Sequence, residues 1–563
     1  MNHPGGTSAK AFSPFNKYGE RFTMTPADPI LLSDEQIRQY IANGYVQIET
    51  DVPAHLHATI GRKLDEMVAE GPNLGNNVLP RVPEFRHILN SPQVRGALSS
   101  LLGPDYVEHP HRYCHDSRPL EETPDDIPAR VAQQSHQDSY TPMSRPRQHY
   151  SRYARIIYYP RDTPIELGPT HVTPGTSYHK VVTEEDRYAV QPMVGPAGSL
   201  WITHFDVIHA AGVNLTDQVR HMIKFIYLQR SVPAAPSWDC RDQQWRNPAD
   251  LQCPWDLEIA WSHMWDWMCG KQNRYDSFFN GAAAEGNLAH LIDVLEKSSL
   301  EDQLAAVRQL AALGGAAAAA VPTLANLLNK DPQPLRVAAT YALGAIGAPA
   351  VETLVEQLDE AAQEGWEKRG QAGWNEGSVE MLDEAHALGA IGTPAVAPLL
   401  ELLERTAEWG RINAAFALGE MDARASAAVA ALTQLLDEDS HRVVRTALDA
   451  LGTIGNAEAA VPRMARFLGE SRAEWEEVLT GTRAWTARDQ VRINSATALA
   501  RLGPRAQPAE EALIGALDDP AGYVSLYATE ALRQLQTPSA ERALMDMIWA
   551  QRWDASLSAE RPW

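Results

Sequence analysis

The stretch "ALGAIG" at residues 342–347 organises the second half of the chain, because it returns unchanged at 387–392 and as "ALGTIG" at 450–455. Looser versions occur at 417–422, 498–503 and 531–536. Alanine and leucine at helical intervals followed by a closing glycine indicate helix ends, and a period of roughly thirty residues is typical of stacked helix pairs. One such pair cannot bury its apolar face alone, so we predict an all-α solenoid over residues 283–563.

This repeated unit resembles the HEAT repeat, in particular the short HEAT-like repeat of phycobilisome-lyase-type proteins, and the resemblance covers about half of the chain. Two repeats are lengthened by insertions that carry tryptophans. These are Trp366 and Trp374 in the first insertion and Trp475 and Trp485 in the second. Exposed tryptophans would suit a binding surface, whereas buried ones would pack the longer helices, and the sequence leaves both interpretations open.

The net charge of −23 disfavours nucleic acid and acidic membrane surfaces as partners. Residues 283–563 carry 40 of the 72 acidic side chains but only 23 of the 49 basic ones, so the acidity lies mainly in the solenoid. The chain has no run of eighteen apolar residues and no signal-peptide pattern at its N-terminus, which predicts a cytoplasmic protein. Four scattered cysteines without a CxxC pair fit a reducing compartment and argue against a thiolate metal site.

The N-terminal half has a different pattern. In "SDEQIRQYIANGYVQI", Ser33 and Gln36 form a capping box, Gly44 ends the helix and an alternating strand follows. Short strand-like runs come later, namely "YARIIYYP", "GSLWITHFD" and "RHMIKFIYLQR". Helices followed by many short strands predict a sandwich or barrel of antiparallel strands with flanking helices.

A candidate metal site begins in "SHQDSY" at residues 135–140. His136 and Asp138 point to the same side of an extended segment, and a later strand supplies His209. Two histidines and one carboxylate leave coordination positions open on Fe(II) for a co-substrate and oxygen. Arg220 follows His209 by eleven residues in an alternating strand, and a buried guanidinium binds a carboxylate with two parallel hydrogen bonds.

This ordered set resembles the phytanoyl-CoA dioxygenase family of Fe(II)- and 2-oxoglutarate-dependent oxygenases over about residues 30–230. The resemblance implies a double-stranded β-helix of the jelly-roll (cupin-like) type, with His136, Asp138 and His209 as iron ligands. It also implies that Arg220 anchors the distal carboxylate of 2-oxoglutarate. Some members place a serine where this chain has Ala211. Tyr158 and Thr203 are therefore assigned to the co-substrate, with Tyr159 as a further source of the missing hydroxyl.

A second arrangement competes with this set. His204 and Asp206 form another H-x-D, and His263 with Arg274 repeats the eleven-residue interval. Because the segment around His263 shows no strand alternation, we favour the first set. The remaining histidines of this half, His115 and His221 among them, are interpreted as ordinary polar residues.

The predicted organisation is an N-terminal arm at 1–30, an oxygenase domain at 31–235, a tryptophan-rich connector at 236–282 and the HEAT solenoid at 283–563. The connector holds six tryptophans. So much aromatic surface is unfavourable in water, so the connector is expected to be a seam between the domains, with a substrate-binding aromatic cage as the alternative.

The predicted function is a dioxygenase that oxidises an unactivated C–H bond of a small-molecule or natural-product substrate while 2-oxoglutarate becomes succinate and CO₂. Hydroxylation is the expected outcome, and the iron ligands do not distinguish it from desaturation, cyclisation or epimerisation. A protein-modifying oxygenase whose solenoid binds a polypeptide, and a HEAT scaffold with a degenerate oxygenase domain, are the alternatives.

Overall fold

The computed structural model describes residues 27–71, 75–138, 148–281, 287–328, 330–363, 379–470, 472–476 and 485–552. Most of the predicted arm at 1–30 lies outside these ranges. Trp366 and Trp374 of the first insertion also lie outside them.

The first helix follows its capping signals. Helix α1 spans Asp34–Asn43, with Ser33 and Gln36 forming the capping box, and strand β1 follows at Tyr45–Ile48. Gly44 ends the helix at φ 86°, in the left-handed region where glycine has no steric penalty. The helix–strand boundary predicted from the sequence is therefore confirmed.

Two antiparallel sheets form the centre of the N-terminal half. Their further strands are β2 (Val107–Ser117), β3 (Tyr153–Tyr158), β4 (Thr170–Val172), β5 (Gln191–Pro192), β6 (Leu200–His204), β7 (His209–Ala211) and β8 (Arg220–Leu228). The larger sheet has the order β1-β6-β3-β8-β2, and the smaller sheet has the order β5-β4-β7. The predicted antiparallel strands with flanking helices are thus present.

Helices cover one face of the larger sheet. They are α2 (Ala54–Glu70), α3 (Val78–Arg81), α4 (Phe85–Leu89) and α5 (Pro92–Leu102), whereas α6 (Ile127–Gln133) packs on β7 of the smaller sheet and α7 (Glu184–Tyr188) packs on α6. Tyr158 packs with Phe85 in the main core, whereas its neighbours Ile157 and Tyr159 pack with Val172 of the smaller sheet. Strand alternation therefore separates a helix-covered face from a face that looks toward the smaller sheet.

From residue 258 onward the described residues form helices and no strands, as predicted. The helices are α8 (Glu258–Met268), α9 (Asp276–Gly281), α10 (Leu288–Lys297), α11 (Leu300–Ala312), α12 (Val321–Ala325), α13 (Gln333–Ile346), α14 (Val351–Gln363), α15 (Asp383–Ile391), α16 (Val396–Arg405), α17 (Glu408–Glu420), α18 (Val429–Gln434), α19 (His441–Ile454), α20 (Val461–Arg466), α21 (Ala487–Leu502), α22 (Glu510–Gly515), α23 (Gly522–Leu535) and α24 (Pro538–Arg552). The odd-numbered helices from α11 to α23 pack side by side in sequence order.

The glycine inside each "ALG" has a packing reason. A methyl group at Gly452 would lie 2.9 Å from the Cα of Ala498, and one at Gly419 would lie 3.0 Å from the Cα of Ala450. Both distances are too short for a side chain, so the motif lets neighbouring helices of the row approach closely. The repeat therefore encodes the packing between helix pairs.

The connector packs as a seam. Of its tryptophans, the following are buried: Trp238, Trp245, Trp261, Trp265 and Trp267. Trp267 stacks against Tyr150 at 4.6 Å between ring centroids, and its indole N–H donates to Asp422 of the solenoid at 3.2 Å. These contacts favour the seam over the aromatic cage.

The row of odd-numbered helices faces the N-terminal half. His149 stacks on His386 of α15 with ring centroids 3.9 Å apart, and its Nδ1 lies 3.0 Å from the hydroxyl of Tyr341 in α13. At the other end, His111 of β2 lies 2.9 Å from the hydroxyl of Tyr523 in α23. The solenoid therefore contacts the N-terminal half of the chain at α13, α15 and α23.

Among the helices that the structure describes, no single one is long and apolar enough to cross a membrane. Two helix pairs, α13 with α14 and α15 with α16, meet that criterion together by length and composition only, and each pair is bent by 117°.

Candidate active site

The H-x-D segment joins the edge of the smaller sheet. The backbone N–H of His136 donates to the carbonyl of His209 at 2.9 Å, and the N–H of His209 donates back at 3.0 Å. This pairing sets the two imidazoles side by side, and Asp138, two residues on, reaches the same point. One ligand atom each from His136, Asp138 and His209 lie within 4.8 Å of one another. The fold thus assembles the predicted triad.

The two histidines present the ring nitrogen that a metal needs. Nδ1 of His136 lies 2.7 Å from the carbonyl of Gln134, and Nδ1 of His209 lies 3.1 Å from the carbonyl of Val207. A carbonyl partner keeps Nδ1 protonated, which leaves the Nε2 lone pair for the metal. Burial, followed by the charge of Arg155, lowers the pKa of His209 well below its usual value, so the neutral ligand form predominates. His136 is half-exposed and marks the open side of the site.

Two basic side chains that sequence reasoning missed hold the carboxylate. Oδ2 of Asp138 pairs with the guanidinium of Arg155 and lies 3.1 Å from Nζ of Lys224. Burial alone would raise the pKa of Asp138, but Lys224, His209 and Arg155 hold it well below its usual value. Asp138 is therefore a carboxylate at neutral pH. The sequence could have indicated both bases, because alternate residues of a strand lie on the same face. Arg155 therefore shares a face with Tyr159, and Lys224 shares a face with Arg220.

Arg220 begins β8 and is buried. Its Nε donates to the carbonyl of Gly168 at 3.1 Å, while one terminal nitrogen is buried without a hydrogen-bond partner among the described residues. Because an unpaired buried guanidinium nitrogen is unfavourable, the position fits a carboxylate from a bound molecule. Burial lowers the pKa of Arg220, but the ordinary pKa of a guanidinium is so high that the side chain remains charged.

His115 is a further pocket residue that the sequence did not single out. It lies on β2 opposite Met222, and its Nε2 is buried without a partner in the described part of the chain. Burial, followed by Lys224, lowers its pKa to about 3, so the ring is neutral and can donate or accept one hydrogen bond. His115 thus offers a second polar contact near Arg220.

The structure corrects the assignment of Tyr158 to the co-substrate. Its hydroxyl lies 2.7 Å from Nδ1 of His57, on the helix-covered face of the sheet. Thr203 lies on the pocket face, but its hydroxyl accepts from Nε of Arg155 at 3.1 Å and so acts through that side chain. Tyr159 is the tyrosine on the pocket side, and its hydroxyl accepts from the backbone N–H of Thr170 at 2.7 Å.

The competing H-x-D set does not come together. Asp206 accepts from the backbone N–H of Gln148 at 2.9 Å, and His263 lies 2.8 Å from the hydroxyl of Tyr150 in the seam. Arg274 pairs with Asp422 of the solenoid at 2.6 Å. These residues are structural, which agrees with the choice of the first set.

Hydrogen bonds link the solenoid to the H-x-D segment. Gln137, between His136 and Asp138, donates from its amide to the carbonyls of His179 at 2.9 Å and Asp206 at 2.7 Å. Lys180 and Val181, which follow His179 in the chain, donate their backbone N–H groups to the side-chain oxygen of Gln333 in α13 at 2.8 and 3.0 Å. One hydrogen-bonded path therefore runs from α13 to the H-x-D segment.

The donor set fits the predicted groups. Two neutral imidazoles and one carboxylate are ligands for Fe(II), and Arg220 with His115 offers polar contacts for a dicarboxylate beside them. His136, Asp138 and His209 would hold the metal, and Arg220 would hold the far carboxylate of 2-oxoglutarate.

Comparison with known protein families agrees with this site. Residues 58–222 match the phytanoyl-CoA dioxygenase (PhyH) family. Residues 396–480 match HEAT repeats, and residues 335–360 match the PBS lyase HEAT-like repeat. No curated protein matches the chain.

Several solved structures are similar to part of the chain. The non-haem α-ketoglutarate-dependent carbocyclase SnoK from nogalamycin biosynthesis is 17% identical, with a TM-score of 0.28 over 36% of this chain and 88% of that one. EctD from S. alaskensis with bound Fe is 15% identical, with a TM-score of 0.29 over 36% and 82%. EvdO2 from Micromonospora carbonacea var. aurantiaca complexed with 2-oxoglutarate is 17% identical, with a TM-score of 0.27 over 35% and 91%.

The resemblance noted in the sequence is thus confirmed by the family matches, which lie on the two halves where it was found. The chain joins a phytanoyl-CoA dioxygenase (PhyH) domain, of the non-haem Fe(II)/2-oxoglutarate oxygenase class, to C-terminal HEAT repeats.

Proposed function

We propose that this protein is an Fe(II)- and 2-oxoglutarate-dependent dioxygenase that hydroxylates an unactivated C–H bond of a small-molecule substrate of the natural-product kind. The observation that carries the proposal is that His136, Asp138 and His209 come together near Arg220, which has a buried nitrogen without a partner among the described residues. Iron supplies the oxidising chemistry when bound, with 2-oxoglutarate and O₂ as co-substrates that yield succinate and CO₂.

Each pocket residue has a role in this proposal. His136, Asp138 and His209 bind the metal on one side and leave its other positions open. Arg155 and Lys224 keep Asp138 ionised and fix its orientation. Arg220 orients the co-substrate through its far carboxylate. Thr203 positions Arg155 through a hydrogen bond and does not contact the co-substrate directly.

The architecture supports a division at the predicted boundaries. We propose a double-stranded β-helix over residues 31–235, formed by the two facing sheets, with the connector at 236–282 as the seam and the solenoid at 283–563. The pairing of His136 with β7 extends the smaller sheet toward the metal site, as such a fold requires.

The contacts of the solenoid favour a small molecule over a polypeptide substrate. Tyr341, His386 and Glu420, from three successive helices of the facing row, all contact the oxygenase half. A HEAT array usually binds its partner along such a row of helices. Here that row meets the chain's own domain, so a polypeptide would need another surface of the solenoid.

Turnover of the co-substrate tests the proposal. The full-length protein with Fe(II), O₂ and carboxyl-labelled 2-oxoglutarate is expected to release labelled CO₂ together with succinate, and a true substrate will accelerate the release. His209→Ala is expected to lower the release at least about 100-fold because it removes a metal ligand. His290→Ala, at an exposed histidine of the solenoid, is the matched control and should leave it unchanged. Equal release from wild type and His209→Ala would refute the proposed site.

A further inference from the structure

A second group of metal-binding side chains lies on the opposite, helix-covered face of β2 and β8. The outer cluster consists of Cys114 and Asp116 on β2, His221 on β8 and Asp65 on α2. Antiparallel pairing places Asp116 directly opposite His221, and Cys114 lies one pleat away on the same face. One ligand atom each from Cys114, Asp116 and His221 lie within 4.8 Å of one another.

The distances within the outer cluster lie within about half an ångström of those in a tetrahedral coordination shell. Sγ of Cys114 lies 3.2 Å from Oδ1 of Asp116 and 3.9 Å from Nδ1 of His221, and Nδ1 of His221 lies 2.9 Å from Oδ1 of Asp116. Zinc bonds of about 2.0–2.3 Å in a tetrahedron separate neighbouring ligand atoms by roughly 3.3–3.7 Å. The three contacts bracket that range, so an ion fits with small side-chain shifts.

His221 is held by a carboxylate at each ring nitrogen. Its Nδ1 faces Asp116 and its Nε2 lies 2.9 Å from Oδ1 of Asp65. A neutral imidazole has one N–H, so only one of these contacts can be a hydrogen bond. The other needs either a second proton or a metal ion between nitrogen and carboxylate. A ligating histidine whose far nitrogen donates to a carboxylate is the usual arrangement around protein-bound zinc.

We propose that the outer cluster binds Zn²⁺ through Sγ of Cys114, a carboxylate oxygen of Asp116 and Nδ1 of His221, with Asp65 orienting the imidazole. Water completes the fourth position of a tetrahedral site. Binding displaces the thiol proton of Cys114, so the ion is held by a thiolate, a carboxylate and the lone pair of Nδ1, while the Nε2–H of His221 donates to Asp65.

This site is separate from the proposed iron site and does not depend on it. His115 and Arg220, the chain neighbours of Asp116 and His221, point to the pocket on the other face of the same strands. The ion would therefore fix the β2–β8 pair directly behind the residues proposed to hold the co-substrate. The cluster lies under α2, and the His221 side chain is fully buried.

Cobalt titration of the full-length, chelator-treated protein tests the proposal, because a Co²⁺–thiolate bond absorbs strongly in the near ultraviolet while histidine and carboxylate ligands do not. We expect the thiolate band to reach the amplitude of one thiolate-bound Co²⁺ per chain in wild type and to persist in His209→Ala, which removes only the other site. Cys114→Ser should abolish the band. Cys253→Ser, at another buried cysteine, should leave it intact.

A second variant keeps all three proposed ligands, so its result does not depend on whether Cys114→Ser folds. Asp65→Asn removes only the carboxylate on the far nitrogen, and we expect it to weaken Co²⁺ binding about 10- to 100-fold. Absence of a thiolate band at saturating Co²⁺ in wild type, its survival in Cys114→Ser, or unchanged affinity in Asp65→Asn would each overturn the proposal.

Discussion

The pocket between the sheets and the interface between sheets and solenoid both bury arginines, but they balance the charge differently. At the interface, Arg152 and Arg274 face Glu420 and Asp422 at 2.6–3.2 Å, so each guanidinium meets a carboxylate of the same chain. In the pocket, Arg155 and Lys224 share Asp138, and one buried nitrogen of Arg220 has no partner in the described part of the chain.

This difference separates the interface arginines, which stabilise the fold, from the pocket residues, which are available to bind an anionic ligand. Buried charges that pair within the chain complete a structure, and removing one partner leaves the other unsatisfied. Buried positive charge in excess of its partners is satisfied only when an anion such as 2-oxoglutarate binds. Interface variants should therefore change stability, whereas pocket variants should change affinity.

The largest effect is expected at the interface. Arg152→Met leaves Glu420 and Asp422 sharing the single guanidinium of Arg274, and we expect a loss of ~4 kcal/mol in unfolding free energy. Urea and thermal unfolding measure it. Arg62→Met, at an exposed pair with Glu66, is the control and should lose less than ~1 kcal/mol. Similar losses in both variants would contradict the structural role of the buried pair.

The pocket should show the reverse behaviour. Arg220→Gln removes the charge proposed for the far carboxylate, and we expect 2-oxoglutarate to bind ~100- to 1,000-fold more weakly, or ~3–4 kcal/mol. Unfolding should change little, because the guanidinium is only partly satisfied in the free protein. Arg220→Lys should restore part of the affinity. Unchanged co-substrate affinity in Arg220→Gln would place the carboxylate elsewhere.

The interface also predicts a pH dependence. Burial raises the pKa of Glu420 from 4.5 to about 7, with Arg152 opposing and Asp422 adding to the rise. A raised folded-state pKa means that the folded protein holds the proton more tightly, so stability falls as the pH rises from about 4.5 to about 7. Glu420→Gln should reduce this fall by up to ~3 kcal/mol. An identical pH profile in wild type and variant would show that Glu420 stays ionised throughout.

The smallest effect concerns the two adjacent tyrosines. Tyr158→Phe should change 2-oxoglutarate affinity less than about twofold, because its hydroxyl contacts His57 on the far face of the sheet. Tyr159→Phe removes a hydroxyl on the pocket side and should weaken the co-substrate more. Co-substrate titrations of the two variants measure the contrast, and a larger loss in Tyr158→Phe would reverse our assignment of the sheet faces.

Local signals made much of the fold predictable. Ser33, Gln36 and Gly44 act within one helix, and the glycines of the "ALG" repeats act between neighbouring helices, so both leave a readable pattern. The spacing of His136 and Asp138 was equally readable because alternate residues of an extended segment share a side. These predictions needed no knowledge of distant pairing.

Features that depend on strand pairing were not predictable. Tyr158 and Tyr159 differ only in parity, and the face of each follows from the pairing of β3 with its neighbours. Cys114 and Asp116 contact His221 only because of the register of β2 with β8. The absence of CxxC spacing in the sequence therefore gave no indication of this cluster. Trp475 is buried, and its indole N–H donates to the carbonyl of Asp439, a packing role that the sequence left open.

Anaerobic titration of the metal-free protein with Fe(II) and then 2-oxoglutarate tests the central claim most directly. The account predicts the weak visible charge-transfer band of an Fe(II)–2-oxoglutarate complex in wild type, its loss in His209→Ala, and a far higher co-substrate requirement in Arg220→Gln. A folded wild-type protein that shows no band with both present would contradict the account and make the chain a HEAT scaffold with a degenerate oxygenase domain.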